Sequence, residues 1–202
     1  MKIYISSNFK KHFTTHIDFL DHYWINYFDK KNYFFQLVTN SKKNLKKMIK
    51  KENKVDLIIL AGGNDLFNRD KLSKTRLATE LELIKFSIHN KIPLLGVCRG
   101  MQVINNHFGG DLVRVKGHMN SKHPIQMKKK LFKKSKIIVN SFHNYGISKN
   151  TVSKKFNILA TDIQENIEMF KHKKFRILGV MWHPEREKNL RNLDKIIKEL
   201  IR

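Results

Sequence analysis

Two short apolar runs constrain the fold of this chain most strongly. The segments VDLIIL (55–60) and LLGV (94–97) contain almost no polar side chain, which is typical of strands buried on both faces of a sheet. Between them, apolar residues recur at the spacing of one helix face: Leu77, Leu81, Ile84 and Ile88. A helix that connects two buried strands in this way predicts a parallel sheet.

The same alternation begins near the start of the chain. We expect strands at 2–6 and 34–38, and helices at 16–28 and from Ser41, as N-cap, to about Lys51. After Gly110 the sequence changes to short strand-like pieces, and it closes with a helical pattern. We therefore expect an α/β fold in one domain, 1–202, with a central, mostly parallel sheet flanked by helices and a smaller antiparallel sheet.

The large positive net charge of the chain says little about its binding partners. The formal net charge is +24, but only eight of the 41 basic residues are arginine. The lysines fall in several separate runs beside abundant Asn, Ile and Phe, which is typical of AT-rich coding sequence. No zinc-finger or RNP-type motif accompanies them. Nucleic acid is therefore not expected as the main partner, whereas tolerance for small anionic ligands is.

Cysteine content and hydropathy indicate the compartment. A single cysteine excludes an internal disulfide and any cysteine-rich zinc site. No apolar run approaches the roughly 20 residues that span a bilayer, and the opening MKIYISSNFKKH lacks the apolar core of a secretory signal. We expect a cytoplasmic protein with no membrane partner.

The single cysteine, Cys98, directly follows the LLGV strand and precedes a helical pattern. The carboxyl ends of parallel strands form the ligand crevice of such sheets. A residue at a sharp strand-to-helix turn projects into that crevice, and a helix N-terminus favours a thiolate. Gly96 and Gly100 suit the close packing of such a turn. By geometry alone, Cys98 fits a reactive thiol and a buried packing residue equally well.

A second candidate group lies in the segment GVMWHPERE. His183 ends an apolar strand, Pro184 biases it toward an extended conformation, and Glu185 follows two residues later. A cysteine, a histidine and a carboxylate form a nucleophile, a base and a group that orients the base. Taken alone, the same segment also fits a capping turn before the last helix.

Four sequence blocks together resemble the class I glutamine amidotransferase family. They are ILAGGND (59–65), GVCRGMQ (96–102), VNSFHNYGI (139–147) and WHPE (182–185). The arginine of CRGMQ and the NSFH block resemble the γ-glutamyl hydrolase branch, whose members cleave γ-glutamyl amides. The resemblance implies a class I glutamine amidotransferase-like fold and hydrolysis through a thioester on the cysteine.

The resemblance also implies roles for individual residues. Cys98 would be the nucleophile, His183 the acid–base group and Glu185 the residue that orients it. Backbone N–H groups of Gly63 and Arg99 would form the oxyanion hole. The glutamyl group would be held by four residues: Gln102, Ser141, Phe142 and His143. Two departures from the family pattern are Ala61, where proline is common, and Asn144-Tyr145, where a second histidine and a glutamine often follow.

The leaving group is the least determined part of the substrate. The blocks, the compact size and the composition most resemble enzymes that hydrolyse γ-glutamyl-CDP-amidate to cytidine diphosphoramidate for capsule modification. Hydrolysis of γ-glutamyl-aminobutyrate or folyl polyglutamates, and a glutaminase subunit that supplies ammonia to a separate synthase, are the alternatives; a synthase partner is not expected. The candidate contacts to the leaving group are Asn64, Arg69, Arg114, His118, Asn144 and Tyr145.

No cofactor or metal is expected. His118 and His123 lie five residues apart in a polar segment, which is compatible with a metal site. However, neither cysteine nor a cluster of Asp or Glu lies nearby in the sequence. We therefore predict no metal ligands in this chain.

Overall fold

The computed structural model describes residues 1–51, 54–64, 66, 71–128 and 135–201, with the side chain of Lys71 excepted. The strands are β1 (Lys2–Ser6), β2 (Asn8–His12), β3 (Thr15–Phe19), β4 (Phe34–Val38), β5 (Leu57–Leu60), β6 (Leu94–Val97), β7 (Val113–Arg114), β8 (Ser121–Met127), β9 (Lys136–Ser141), β10 (Tyr145–Gly146), β11 (Phe156–Asp162), β12 (Ile167–His172) and β13 (Ile177–Val180). The helices are α1 (His22–Lys31), α2 (Lys42–Lys51), α3 (Lys71–His89), α4 (Arg99–His107) and α5 (Arg191–Ile201), and a short 3-10 turn spans Pro184–Arg186.

One large sheet carries most of the strands. Its order is β4-β1-β5-β6-β13-β12-β11-β8-β9. Strands β4, β1, β5, β6 and β13 run parallel, and β12, β11, β8 and β9 continue the sheet with antiparallel pairing. Two small antiparallel pairs, β7 with β10 and β2 with β3, lie outside it. The expected α/β class is confirmed, with the difference that most antiparallel strands extend the main sheet.

Helices cover both faces of the parallel strands, as strands buried on both faces require. One face packs against α1 and α5, through side chains such as Trp24, Phe28 and Leu193. The other face packs against α2, α3 and α4, through side chains such as Leu45 and Ile104. The two apolar runs that constrained the fold contain fully buried strands, β5 at Leu57–Leu60 and β6 at Leu94–Val97.

The helix expected over 16–28 is wrong in its first part. His16 to Phe19 instead form β3, which pairs with β2 as a hairpin. The helix begins only at His22 because the Asp21 side chain accepts a hydrogen bond from the Tyr23 amide, at 3.1 Å, and so caps the first turn. The N-cap expected at Ser41 is confirmed, since its hydroxyl accepts from the Asn44 amide at 3.2 Å.

The parallel strands end together at one edge of the sheet. β5 leads into Gly62-Gly63, β6 into Cys98 and β13 into the segment that holds His183. Adjacent strands β5, β6 and β13 therefore bring three distant sequence blocks to one edge. Within the described ranges, no helix is both long enough and apolar enough to cross a bilayer.

Candidate active site

Cys98 occupies the sharp turn between β6 and α4. Its φ of 50° and ψ of −107° lie outside the regions that residues other than glycine commonly adopt. The Cys98 amide donates a hydrogen bond to the carbonyl of Val180 on β13, at 2.8 Å, which ties the turn to the sheet. The side chain makes no capping hydrogen bond to α4 and lines a cavity instead. Such a strained turn is a recurrent device for presenting a nucleophile.

Two glycines bring α4 close to the sheet beneath this turn. A Cβ at Gly100 would lie 2.1 Å from the carbonyl oxygen of Leu60 on β5, and a Cβ at Gly96 would lie 2.7 Å from the backbone of Gly100. These distances leave no room for a side chain at either position. The close packing expected at Gly96 and Gly100 is therefore present.

His183 lies against Cys98 and is held by Glu185. The two side chains are buried, and His183 Nδ1 is 2.7 Å from Glu185 Oε1. The His183 ring and the Cys98 Cβ lie 2.4 and 3.3 Å from the same point, the position that a Cβ at Gly62 would take, so the two side chains are neighbours. Burial lowers the pKa of His183, but the opposing charges of Glu185 and Cys98 outweigh burial and raise the pKa to about 10. The arrangement therefore favours the protonated, positively charged form of His183.

Asn140 fixes the backbone of His183 from strand β9. Its Oδ1 accepts from the His183 amide at 2.9 Å, and its Nδ2 donates to the His183 carbonyl at 2.8 Å. The Phe142 ring packs edge-on against the imidazole, with 5.7 Å between ring centroids. The guanidinium of Arg186 lies 5.0 Å from the Phe142 centroid and pairs with Asp21 at 2.7 Å. Sequence reasoning had assigned no role to Asn140 or Arg186.

The loop after β5 forms a second wall beside Cys98 and His183. A Cβ at Gly62 would lie 2.4 Å from His183 Cε1 and 3.3 Å from Cys98 Cβ. Gly63 has a φ of 100°, in the region that favours glycine. Asn64 holds the loop through two hydrogen bonds with the backbone of Phe9, at 3.1 and 2.7 Å. The glycine pair thus permits close approach of the backbone, as expected for Gly63.

A buried charged network lies behind this loop. Arg76 Nη2 donates to the carbonyls of Ala61 and Gly62, at 2.6 and 3.1 Å. Arg76 Nε donates to Glu80 at 2.9 Å, and the Arg99 guanidinium donates to both Glu80 oxygens at 3.0 to 3.2 Å. All three side chains are at most 1% exposed. We define Arg76, Glu80 and Arg99 as the Arg–Glu–Arg cluster.

Sequence reasoning missed Arg76 and Glu80. Their i, i+4 spacing in α3 is that of a solvent-exposed ion pair, whereas the structure places them on the buried face with Ser73 and Thr79. The sequence offers one signal for their burial, which is the number of polar residues on the helix face that packs against the sheet. Arg99 was predicted for its backbone N–H alone, and its side chain adds the link to Glu80.

These walls enclose a cavity of about 300 Å³. The residues that line it are Gly63, Asn64, Cys98, Arg99, Gln102, Met119, Phe142, His143, Asn144, Tyr145, His183 and Arg186. The structure thus brings together most residues for which the sequence predicted a role, with Glu185 behind His183. Gln102 Nε2 donates to the Tyr145 carbonyl at 2.7 Å, so the α4 and β10 sides of the cavity are linked. A larger open groove lined by Lys46, Lys50 and Lys85 lies elsewhere, between α2 and α3.

Some predicted site residues lie away from the cavity. Arg114 is exposed on β7, and Ser141 is fully buried at the end of β9, so neither lines the wall. His118 is buried among other histidines, because the loop after β7 folds inward, and it is not a wall residue either. Arg114 and His118 thus do not line the cavity, and their contact with a leaving group stays a prediction. Arg69 lies outside the described residues.

Two buried histidines beside the cavity, His143 and His118, have pKa values below the usual range. Burial is the largest influence on His143 and, with the charge of His118, lowers its pKa to about 3. Burial likewise lowers the pKa of His118. Burial raises the pKa of the neighbouring Glu168 well above its usual range. Each of these groups sits where water cannot solvate its charged form.

Comparison with known proteins places this geometry in a family. A γ-glutamyl-CDP-amidate hydrolase of Campylobacter jejuni is 42% identical over 147 residues, which cover 72% of this chain and 69% of the relative. The glutamine-hydrolysing GMP synthase subunit of Methanococcus aeolicus is 30% identical over 142 residues, 68% of each chain. The crystal structure of a protein described as a GMP synthase subunit, from Thermoplasma acidophilum, superimposes with a TM-score of 0.73 and 22% identity, and covers 100% of this chain and 92% of that one. The family model "Glutamine amidotransferase class-I" matches residues 16–202, and the chain therefore belongs to the class I glutamine amidotransferase family.

Proposed function

We propose that the protein is a cysteine hydrolase that cleaves a γ-glutamyl amide bond. The observation that carries this proposal is the strained Cys98 turn, with His183 in the same cavity and Glu185 Oε1 2.7 Å from His183 Nδ1. A nucleophile, a base and a group that orients the base are the requirements of acyl transfer through a covalent intermediate.

The proposed reaction proceeds in two halves. The Cys98 thiolate attacks the γ-carbonyl carbon, and the N–H groups of Gly63 and Arg99 stabilise the oxyanion of the tetrahedral intermediate. The His183 imidazolium gives its proton to the leaving nitrogen as the C–N bond breaks, which leaves a γ-glutamyl thioester and a neutral imidazole. His183 then takes a proton from water as that water attacks the thioester. Glutamate and the free thiolate–imidazolium pair result.

The cavity wall supports a division of the substrate into two ends. Gln102, Phe142 and His143 are proposed to surround the glutamyl group, and Ser141 to support that segment from behind. Asn144 and Tyr145 also line the cavity, and they stand where the family often has a histidine and a glutamine. We propose that they contact the leaving group. Gly63, one proposed oxyanion donor, belongs to the loop that the Arg–Glu–Arg cluster holds through the carbonyls of Ala61 and Asn64.

We propose γ-glutamyl-CDP-amidate as the substrate and cytidine diphosphoramidate as the released product. The reaction would take place in the cytoplasm, and the product would serve capsule modification. The relative named γ-glutamyl-CDP-amidate hydrolase supports this choice, because it shares 42% identity across 72% of the chain. The net charge of +24 also suits an anionic diphosphate.

A glutaminase subunit that supplies ammonia to a synthase is the second candidate. The similarity to the GMP synthase subunit of Methanococcus aeolicus over 68% of the chain favours it. The two candidates differ in the nitrogen compound released and in dependence on a partner protein. A stand-alone hydrolase turns over its substrate without any second subunit, whereas a coupled glutaminase has low activity until its synthase binds.

The test offers the purified protein glutamine, γ-glutamyl-aminobutyrate and γ-glutamyl-CDP-amidate in parallel, with glutamate release as the readout. We expect kcat/KM to be highest for γ-glutamyl-CDP-amidate. A higher value for free glutamine would overturn the proposed substrate and favour the glutaminase subunit. Equal and negligible rates for all three would overturn the hydrolase proposal itself.

A matched test of the nucleophile uses the fact that Cys98 is the only cysteine. Cys98→Ala should abolish turnover while far-UV circular dichroism remains that of the wild type. Treatment of the wild type with iodoacetamide should add one adduct and remove activity in parallel, and the variant should add none. Activity that survives either treatment would refute the role of Cys98.

A further inference from the structure

Three histidines and one glutamate converge in the interior beside the cavity. His118 lies in the loop after β7, His123 on β8, His143 after β9 and Glu168 on β12. One ring nitrogen of each histidine and one carboxylate oxygen all lie within 4.8 Å of one another. We define these four residues as the His–Glu cluster.

The converging atoms of the His–Glu cluster are buried without partners. His118 Nδ1, His123 Nε2, His143 Nε2 and both carboxylate oxygens of Glu168 make no hydrogen bond within the part of the chain that the structure describes. Glu168 is 0% exposed, and His118 and His143 are at most 5% exposed. Unpaired polar atoms are costly to bury, and natural proteins contain few of them. Five such atoms in one place therefore require an explanation.

The spacing of these atoms excludes direct hydrogen bonds among them. Glu168 Oε1 lies 3.9 Å from His118 Nδ1, 3.8 Å from His123 Nε2 and 4.0 Å from His143 Nε2. A shared proton needs a separation of about 3 Å. The four atoms all lie within 4.8 Å of one another. Regular tetrahedra with edges of about 3.9 and about 4.8 Å have centres about 2.4 and about 2.9 Å from each corner, so donors that move inward by about 0.4 to 0.9 Å reach the usual Zn–N distance.

The opposite nitrogen of each ring faces a hydrogen-bond acceptor. His118 Nε2 lies 3.1 Å from Asp162 Oδ2, and His143 Nδ1 lies 3.0 Å from the Tyr145 carbonyl oxygen. His123 Nδ1 faces the Pro124 carbonyl at the longer distance of 3.5 Å. If the nitrogen that faces the acceptor carries the proton in each ring, the opposite nitrogen has a free lone pair on the side of Glu168. Metal-binding histidines are oriented by acceptors in this way.

We propose that the His–Glu cluster is a structural zinc site. Three imidazole nitrogens and one carboxylate oxygen suit a borderline-soft divalent ion that prefers four ligands, and zinc fits best. The charge of the ion is balanced by Glu168 and by Asp162 behind His118. Because the protein supplies all four ligands, the ion would hold structure and leave no coordination position for substrate.

The site would fix one wall of the cavity. His143 belongs to both the cavity wall and the cluster, and Tyr145 O accepts from both His143 and Gln102. An ion bound to His143 would therefore tie the loop between β9 and β10 to strands β8 and β12. The sequence did not predict this site, because Glu168 and His143 come from segments distant from His118 and His123.

The first test measures metal content by inductively coupled plasma mass spectrometry on tag-free protein purified without added metal or chelator. We expect about one zinc per wild-type chain and a loss of at least tenfold in His123→Asn, whose side chain is outside the cavity wall. His22→Asn, which removes an exposed histidine, should retain the full content. Wild-type content below one tenth of an equivalent, or equal content in His123→Asn, would overturn the proposal.

The second test does not depend on how the protein was isolated. Wild-type protein stripped by a chelator and titrated with Co²⁺ should develop the visible absorption of a tetrahedral nitrogen–oxygen site, saturating at one equivalent. Asp162→Asn, which removes the acceptor behind His118 and no ligand, should weaken zinc binding by 10- to 100-fold. Binding by the wild type no tighter than that of His123→Asn would overturn the proposal, and neither result requires active enzyme.

Discussion

Replacement of Glu80 by glutamine tests how the loop after β5 is held. Glu80 is 0% exposed and is the shared acceptor of the two guanidinium groups in the Arg–Glu–Arg cluster. Glu80→Gln keeps the shape of the side chain but removes its charge. One acceptor oxygen becomes an amide N–H that faces the N–H groups of Arg76 or Arg99, so two buried cations remain without a counter-ion.

The expected loss of stability follows from this burial. Removal of one partner from a buried ion pair typically costs about 3–5 kcal/mol, because the remaining charge is neither paired nor solvated. Burial lowers the pKa of Arg76 to about 10, which still leaves this guanidinium charged at pH 7. We therefore expect Glu80→Gln to lower the free energy of unfolding by about 3–5 kcal/mol, a large part of the roughly 5–15 kcal/mol typical of a folded domain.

Urea unfolding followed by tryptophan fluorescence measures this change, because Trp24 and Trp182 are both fully buried. The matched control is Glu82→Gln, two residues along the same helix. Glu82 is partly exposed and pairs with Lys42 and Lys85 at 3.4 Å each. Exposed pairs of this kind contribute roughly 0–1 kcal/mol, so the control should change stability by less than about 1 kcal/mol.

The same variant should affect turnover separately from stability. Arg76 holds the carbonyls of Ala61 and Gly62, and Arg99 Nη1 donates to the Asn64 carbonyl at 3.1 Å. If the loop carries an oxyanion donor, its displacement should lower kcat by at least tenfold with little change in KM, since loss of one donor costs about 10²–10³. A Glu80→Gln protein within 1 kcal/mol of the wild type, or one with unchanged kcat per folded molecule, would refute this reasoning.

Two further predictions concern the groups around His183. Gly62→Ala should abolish turnover with little loss of helix content, because the new Cβ would lie 2.4 Å from His183 Cε1; a steady-state assay with circular dichroism checks this, and normal activity would contradict it. Glu185→Gln removes a carboxylate that raises the pKa of His183 to about 10, so the imidazolium should lose its proton at lower pH. Histidine-ring NMR between pH 6 and 11 measures the midpoint, and an unchanged midpoint would show that Glu185 does not hold this charge.

The sequence predicted the parallel half of the fold well. Strands such as β5 and β6 are buried on both faces, and their continuous apolar sequence is typical of such strands. The helix predicted over 16–28 was wrong at its start. Apolar spacing at Ile17 and Leu20 matched a helix, whereas pairing of β3 with β2 and the Asp21 cap decided the actual boundary. Local periodicity cannot distinguish these outcomes when a hairpin precedes a helix.

The candidate site was predictable where a motif is local and was missed where side chains converge from distant segments. The His183–Glu185 contact lies within two residues and follows from one turn. The supporting bonds of Asn140 to the His183 backbone, of Arg76 to the glycine loop and of Glu168 toward the histidines all join different elements. Only tertiary structure reveals whether such a polar residue faces solvent or is buried.

The two buried polar clusters explain which residues of the cavity can be substituted without loss of the fold. The Arg–Glu–Arg cluster holds the loop after β5, and the His–Glu cluster lies behind the loop that follows β9. Buried charged groups stabilise a fold no better than well-packed apolar residues, but they fix backbone positions to within the small tolerance that a reacting centre requires. Met119 and Asn144 line the same cavity, yet both are exposed. Substitutions at Met119 and Asn144 should therefore change the leaving group that the cavity accepts. They should lower the free energy of unfolding less than substitutions in either buried cluster.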